Sequence, residues 1–170
     1  MGVDILYSGT AAGAREASMM GIPSIAFSQY MRREIERDWA VSARRADKVL
    51  ENILKRERLG VGFWNVNLPA LPQQFAEVEF PISKCEPEPH AMPFSFEEAT
   101  KDVEKELEML KNVDPNSIRT VNYQGNYQAR PRKQGSDVDL CFGGHATVSW
   151  LELERVGVRI CPPKSTRDQR

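Results

Sequence analysis

A turn, a helix and a short apolar strand are encoded in the first 28 residues, and this order restricts the folds open to the chain. The turn is Ser8-Gly9-Thr10, which follows a short apolar segment and leads into a run of small residues. That run predicts a helix ending at Gly21-Ile22-Pro23, because Gly and Pro stop helices. Residues 24–28 are typical of a short buried strand, so the segment indicates half of a βαβ unit.

The beginning of this helix is suited to holding an anion. The first backbone N–H groups of a helix have no partner within the helix, and the helix dipole places partial positive charge there. Gly9 allows a ligand close to the main chain, while Ser8 and Thr10 add hydroxyl donors. The sequence therefore predicts a phosphate seat at Ser8, Gly9 and Thr10. The alternative is an ordinary helix cap with Gly9 as a turn residue, and the sequence does not decide between the two.

Two further segments extend the α/β pattern. Residues 31–58 carry apolar side chains every three or four positions, which predicts one long helix whose charged outer face includes Arg45. Acidic residues alternate with the basic ones on that face, which favours a solvated surface over a nucleic-acid contact. Residues 63–68 then form an apolar strand. Strand, helix and strand in this order predict a parallel sheet with helices on its faces.

The pattern changes after Pro72. Residues 75–82 alternate apolar and polar side chains, as a half-exposed antiparallel strand does, and residues 118–127 are predicted to pair near them as a hairpin arm. Between these segments, Ser95-Phe96-Glu97-Glu98 has the spacing of a capping box and predicts a helix over 96–112. A last strand over 146–153 is expected to rejoin the sheet.

These segments divide the chain into three parts. Residues 1–72 are expected to form the α/β core. Residues 73–154 are expected to form a β-rich arm that carries helix 96–112 and the final core strand, and to serve as an oligomerisation region. Residues 155–170 are polar and contain two prolines, so they are expected to be a flexible tail.

Composition argues against several classes of partner. The 23 basic and 24 acidic residues give a formal net charge of −1, so no field favours nucleic acid or an acidic membrane. No segment approaches the length of uninterrupted apolar residues that a membrane-spanning helix needs, which is about 18. Cys85, Cys141 and Cys161 are odd in number and widely spaced, so neither a disulfide framework nor a Cys–His metal cluster is expected. A reducing cytoplasm fits this usage best.

A compact basic segment, Arg130-Pro131-Arg132-Lys133, follows Tyr123 and Tyr127. Basic and aromatic side chains together can hold the phosphate and base of a nucleotide, so Tyr127, Arg130 and Arg132 are candidate nucleotide contacts. An exposed loop restricted by proline is the alternative.

The two histidines do not supply obvious catalytic chemistry. His90 lies in a Pro-rich segment and His145 beside a Gly pair, and neither has an obvious carboxylate to orient it. No Ser-His-Asp or Cys-His set is therefore predicted.

Several segments resemble those of one known family. Residues 1–16 (MGVDILYSGTAAGARE) and 21–28 (GIPSIAFS) are similar to the middle of the SurE survival-protein family, whose members are metal-dependent 5'/3'-nucleotidases and acid phosphatases. Asn65-Val66-Asn67-Leu68-Pro69 resembles the core strand of that family. Arg130-Pro131-Arg132 and Gly135-Ser136-Asp137-Val138-Asp139 resemble the segment before its last strand. The matches follow the order of the family across most of the chain.

The resemblance implies a fold and an assembly. The fold class is α/β: an incomplete Rossmann-like (SurE-like) three-layer sheet with helices on both faces, plus a β-hairpin arm carrying an inserted helix. The implied assembly is a homodimer or homotetramer.

The resemblance also implies an activity. The substrate would be a nucleoside monophosphate or another small phosphomonoester, and the cofactor a divalent metal, Mg or Mn. In the family, an Asn metal ligand precedes the segment that Met1 begins, and an Asp pair and a Ser lie further upstream, so the metal ligands are expected to be absent from this chain. The chain alone is then expected to be inactive; alternatively, it is an inactive remnant that acts as an oligomerisation or binding module.

Overall fold

The computed structural model describes residues 1–56, 61–72, 79–98 and 121–153. The described residues fall into two compact units. The larger unit contains Met1–His90 and the described residues from Arg132 onward, and the smaller is Ala91–Pro131. The predicted tail over 155–170 and residues 99–112 of the predicted arm helix lie outside the described residues. The expected division at residues 72 and 154 therefore stays a prediction.

Helices and strands alternate through the first part of the larger unit, as the sequence predicts. A 3-10 helix, Gly2–Leu6, precedes the regular elements. Those elements are α1 Gly9–Met19, β1 Ser24–Gln29, α2 Trp39–Arg56, β2 Phe63–Leu68, β3 Ile82–Lys84, β4 Phe94–Glu98, β5 Val121–Gly125, α3 Asp137–Phe142 and β6 Ala146–Leu151. Strands β4 and β5 belong to the smaller unit, and all the others belong to the larger one.

The larger unit is built on a mixed four-stranded sheet with the order β1-β2-β6-β3. Strands β1 and β2 are parallel, as the strand–helix–strand pattern predicts. Strand β6 runs antiparallel to β2 and parallel to β3. The last predicted strand therefore does rejoin the sheet, and it does so in the interior rather than at an edge.

Helices cover both faces of this sheet, which confirms the predicted α/β architecture. Side chains alternate between the two faces along a strand. Val66 of β2 packs with Ile53 of α2 on one face. Phe63 of the same strand packs with Ala11 of α1 on the opposite face. No helix in the described part of the chain is long and apolar enough to cross a membrane.

Helix α2 begins later than its apolar pattern predicts. Asp38 Oδ1 accepts the backbone N–H groups of Ala40 at 2.9 Å and Val41 at 3.1 Å, so its carboxylate caps the first turn. The prediction of a helix from residue 31 is therefore wrong for residues 31–38, where Ile35 N–H donates to Arg32 C=O in a separate turn. Apolar side chains recur at helical spacing before Asp38 as well, but residues 31–38 do not form a helix there.

Arg45 lies inside the structure, although the sequence pattern placed it on the solvated face of the helix. It is only 3 % exposed. Its Nη1 donates to Leu71 C=O at 3.2 Å and its Nη2 to Pro72 C=O at 3.4 Å. Burial, and secondarily the charge of Arg44, lower the pKa of the Arg45 guanidinium. The side chain thus ties α2 to the chain that follows β2.

Replacing Arg45 with alanine is expected to lower the free energy of unfolding by about 1–3 kcal/mol, because two carbonyl groups lose their donor and the packed aliphatic stem is removed. Urea denaturation measures this. The exposed neighbour Arg44 supplies the control, since Arg44→Ala should change stability by less than about 0.5 kcal/mol. Equal losses in both variants would contradict a structural role for Arg45.

The capping box predicted at Ser95–Glu98 is wrong, because these residues lie in strand β4 rather than at the start of a helix. Aromatic side chains at alternate positions favour a strand, and they find a partner across the hairpin. The ring centroids of Phe94 and Phe96 each lie 5.9 Å from that of Tyr123. These contacts outweigh the local Ser–Glu spacing.

The arm is a hairpin, but its two strands are not the predicted pair. Strand β5 pairs antiparallel with β4, with Phe96 opposite Tyr123. The predicted partner segment, residues 75–82, contains no antiparallel strand where it is described, and Ile82 instead begins β3, which runs parallel to β6. Residues 73–78 and 118–120 lie outside the described part.

Candidate functional site

The predicted turn is the beginning of helix α1. Ser8 is the N-cap, with Oγ accepting the N–H of Ala11 at 3.3 Å. The Ser8 carbonyl accepts the N–H of Ala12 at 2.9 Å. The helix entry is confirmed, and Ser8 does act as an ordinary cap. Capping uses Ser8 as an acceptor, so it is compatible with an anion that approaches the N–H groups beside it.

The turn is open to solvent. Gly9 and Thr10 are exposed and Ser8 is half-buried. In residues 1–56 and the other described ranges, the N–H groups of Gly9 and Thr10 have no protein acceptor. A Cβ built on Gly9 would meet nothing within 4 Å. The first turn of α1 also contains no acidic residue, so partial positive charge at this helix end is not opposed there.

Helix α1 is held firmly against the sheet behind the turn. Ser18 Oγ donates to Gly62 C=O at 2.7 Å and accepts the Gly62 N–H at 3.0 Å. Ser24 Oγ donates to Ala14 C=O at 2.7 Å. Ile5, which precedes the turn, is buried in the same cluster as Ala14. The rest of α1 is therefore packed against the sheet, while its N-terminal end is exposed.

A buried carboxylate that the sequence pattern does not predict lies in the Pro-rich loop after β3. Glu88 is fully buried, and its Oε2 accepts the Lys133 N–H at 2.6 Å and the Ser136 hydroxyl at 2.8 Å. Its Oε1 accepts the His90 N–H at 3.2 Å and lies 2.7 Å from His90 Nδ1. The expectation that His90 has no carboxylate beside it is therefore wrong. His145 instead contacts a hydroxyl, with Nδ1 2.8 Å from Ser83 Oγ.

Hydrogen bonds keep this carboxylate ionised inside the protein. Burial by itself raises the pKa of Glu88, but the donors from Lys133, His90 and Ser136 outweigh it and lower the pKa to about 2. In the described ranges, no Lys or Arg side chain pairs with Glu88. Its negative charge is compensated by backbone N–H groups, a hydroxyl and an imidazole.

A second buried carboxylate, Asp137, stands beside Glu88. Asp137 Oδ1 accepts the Glu88 N–H and Oδ2 accepts the Gly2 N–H, each at 2.8 Å. The Glu88 carbonyl in turn accepts the Val3 N–H at 3.0 Å. We call Glu88 and Asp137 the carboxylate clasp. The clasp joins the start of the chain, the loop after β3 and the start of α3.

Two of the candidate nucleotide contacts, Tyr127 and Arg130, lie in the smaller unit, and the third, Arg132, lies in the larger one. In the smaller unit, Arg130 Cζ lies 5.2 Å from the ring centroid of Tyr127. In the larger unit, Arg132 Cζ lies 4.6 Å from the ring centroid of Phe142. Each cation already covers a ring of its own. Nucleotide contact by Tyr127, Arg130 or Arg132 stays a prediction.

The described residues do not form a site for a divalent metal. No group of three or more His, Cys, Asp or Glu side chains comes together in the described ranges. The oxygens of the carboxylate clasp are occupied by N–H and O–H donors. Cys85 and Cys141 are also poor ligands, because burial raises the pKa of their thiols to about 11 and about 12. The Mg or Mn that the resemblance implies therefore has no ligand set here.

The fold and the turn together define an α/β protein with an open helix N-terminus beside a mixed sheet, and comparison with known proteins gives the family. The sequence model of the family described as survival protein SurE matches residues 1–86. The chain belongs to the SurE family.

Individual relatives agree with this assignment. A 5'-nucleotidase SurE from Neisseria meningitidis is 41 % identical over 91 % of this chain. A 5'-nucleotidase SurE from Campylobacter jejuni is 30 % identical over the same share. The crystal structure of the SurE protein from Aquifex aeolicus matches 90 % of the chain with a TM-score of 0.65 and 25 % identity. The chain spans about half the length of these relatives, 54–55 % in each case.

Proposed function

We propose that this chain supplies the phosphate-binding part of a SurE-like phosphomonoester hydrolase that releases phosphate from nucleoside 5'- or 3'-monophosphates. Ser8, Gly9 and Thr10 hold the phosphoryl group. The metal ligands come from polypeptide outside the present sequence, and the chain alone is inactive. The working protein is a cytoplasmic homodimer or homotetramer.

The observation that carries the proposal is the open turn at the start of α1. Gly9 and Thr10 are exposed, and their N–H groups have no acceptor among the described residues. With the hydroxyl groups of Ser8 and Thr10 they supply what a phosphate requires: several donors in partial positive potential. The similarity to relatives named 5'-nucleotidase SurE supports a phosphomonoester as the anion.

The role of this chain in the reaction is binding and orientation. Phosphomonoester hydrolysis needs a group that polarises the phosphoryl oxygens and an activated water. A divalent metal supplies both in such enzymes, and no group of three or more His, Cys, Asp or Glu side chains comes together in the part of the chain that the structure describes. The turn can therefore orient a phosphate but cannot activate the water that attacks it.

Gly9 gives a direct test. Gly9→Val should weaken the binding of inorganic phosphate about tenfold or more, because the branched side chain occupies the approach to the helix end while leaving the fold intact. Gly13→Val is the matched control, since it lies one turn further along the same helix and a Cβ there also meets nothing within 4 Å. Isothermal titration calorimetry measures both. Unchanged affinity in Gly9→Val, or the same loss in both variants, would contradict the phosphate seat.

A second candidate function, an oligomerisation or binding module, is favoured by the hairpin in the smaller unit. Phe94, Phe96, Val121 and Tyr123 are each about half exposed or more, at 61 %, 59 %, 47 % and 54 %. Their register places them on one face of the hairpin. Solvent-exposed aromatic faces of this kind commonly mark contact surfaces.

Two measurements on the purified chain discriminate between the candidates. We expect no measurable release of phosphate from AMP in Mg²⁺ or Mn²⁺ under either one. Binding of inorganic phosphate at the turn supports the hydrolase part. A defined oligomer by light scattering that becomes monomeric in Phe96→Ser, without any phosphate binding, supports the module. Turnover of AMP by the chain alone would contradict both.

A further inference from the structure

The carboxylate clasp is connected to the phosphate seat through a short and direct stretch of chain. Two hydrogen bonds hold the first two residues of the 3-10 helix. Asp137 accepts the Gly2 N–H, and the Val3 N–H donates to Glu88 C=O. That helix ends at Leu6, and only Tyr7 separates it from the Ser8 cap. Five residues of 3-10 helix rise about 10 Å and are not stable alone, so their position depends on what holds them.

The chemistry at the clasp requires a carboxylate. Asp137 accepts N–H groups from two segments that are 86 residues apart in sequence, one with each oxygen, and both distances are 2.8 Å. A neutral amide could accept only one of these bonds and would direct its NH₂ group at the other donor. Gly2 adopts φ +59°, a conformation that glycine adopts without the strain that a side chain would add, so the backbone at this position favours glycine.

We propose that Asp137 is a positioning residue for the phosphate seat: by accepting the Gly2 and Glu88 N–H groups, it fixes the segment that carries Ser8, Gly9 and Thr10 relative to the sheet. This inference rests on the proposed function of that turn. Ile5, buried with Ala11 and Ala14, is the second anchor of the same segment. Asp137 acts on the turn through its hydrogen bond to Gly2.

Asp137→Asn in the full chain tests the proposal by hydrogen exchange. The amides of Val3 and Tyr7, which donate to Glu88 C=O and Asp4 C=O, should exchange about tenfold faster or more relative to amides of β2. Asp139→Asn is the matched control. It removes the same charge from the same helix, but within the described ranges its carboxylate accepts only the Gly135 N–H, at 2.9 Å, which belongs to the adjacent turn. Gly2→Ala strains the backbone at the residue that donates to Asp137, because Gly2 adopts φ +59°. It should therefore accelerate exchange at the same amides as Asp137→Asn does.

The affinity for inorganic phosphate gives the second readout, with an expected loss of about fivefold in Asp137→Asn and none in Asp139→Asn. Acceleration of exchange throughout the protein, or no local acceleration at Val3 and Tyr7, would overturn the positioning role. If the unmodified chain does not bind phosphate, the proposed function fails, while the exchange data still decide whether Asp137 holds the segment.

Discussion

Glu88→Leu is expected to lower the free energy of unfolding by about 3–5 kcal/mol. The change leaves the Lys133 N–H, the Ser136 hydroxyl and the His90 N–H without their buried acceptor. Urea denaturation followed by circular dichroism measures the loss. Glu86→Leu is the control, because Glu86 is exposed two residues away and its substitution should cost less than about 0.5 kcal/mol.

The pH dependence of stability gives an independent check on Glu88. Its pKa is about 2 in the folded chain against an ordinary value of 4.5. A carboxylate with a lowered pKa stabilises the fold above its ordinary pKa, and that contribution is lost as the pH falls from about 4.5 toward 2. The unmodified chain should therefore lose stability over this range, and Glu88→Gln should lose distinctly less. Parallel pH profiles for the two proteins would contradict an ionised, hydrogen-bonded Glu88.

The second large effect is expected at Gly62, which precedes β2. Gly62→Ala should lower the free energy of unfolding by about 2–4 kcal/mol, because the added methyl group meets backbone and ring atoms that cannot move easily. A Cβ there would lie 2.6 Å from Leu151 C=O and 2.6 Å from the ring of Trp150, and the residue adopts φ +145°. The same strain would disturb both hydrogen bonds between Gly62 and Ser18, which hold α1 against the sheet.

Gly13→Ala provides the comparison for Gly62. Gly13 lies inside α1, where a Cβ meets nothing within 4 Å. Alanine there should leave stability unchanged or raise it by up to about 1 kcal/mol. Thermal unfolding of both variants distinguishes the cases. A Gly62→Ala protein as stable as Gly13→Ala would show that the start of β2 can shift to accept a side chain.

The features predicted correctly from sequence are those determined by neighbouring residues. Ser8-Gly9-Thr10 ahead of small residues defines the start of α1. The apolar runs of β1, β2 and β6 define buried strands, which the structure has within one or two residues of the predicted bounds. Each of these signals arises from backbone and side-chain preferences within about ten residues of chain.

Two of the wrong predictions, at Arg45 and at Ser95–Glu98, share a physical cause: a contact from another part of the chain overrides a local pattern. Arg45 fits a charged helix face, but the carbonyl groups of Leu71 and Pro72 attract it inward. Ser95–Glu98 has the spacing of a helix cap, but Tyr123 across the hairpin favours alternating aromatic side chains in a strand. Tertiary contacts of this kind cannot be recognised from a short segment of a single sequence.

The carboxylate clasp could not have been found from the sequence. Glu88 lies between two prolines in a segment without a helix or strand period, and Asp137 lies 49 residues further along. The one local signal is Ser136 ahead of Asp137 and Asp139, which marks the cap of α3 but not the partner across the fold. In the described residues neither carboxylate pairs with a lysine or an arginine, so no fixed opposite charge indicates a partner.

Titration of the ¹⁵N-labelled chain with inorganic phosphate measures whether the exposed turn at the start of α1 binds a phosphoryl group. We expect saturable shifts in amide resonances that are largest at Gly9 and Thr10, with none of that size when chloride is added at equal ionic strength. Shifts confined to the basic segment from Arg130 to Lys133, with Gly9 and Thr10 unmoved, would contradict it.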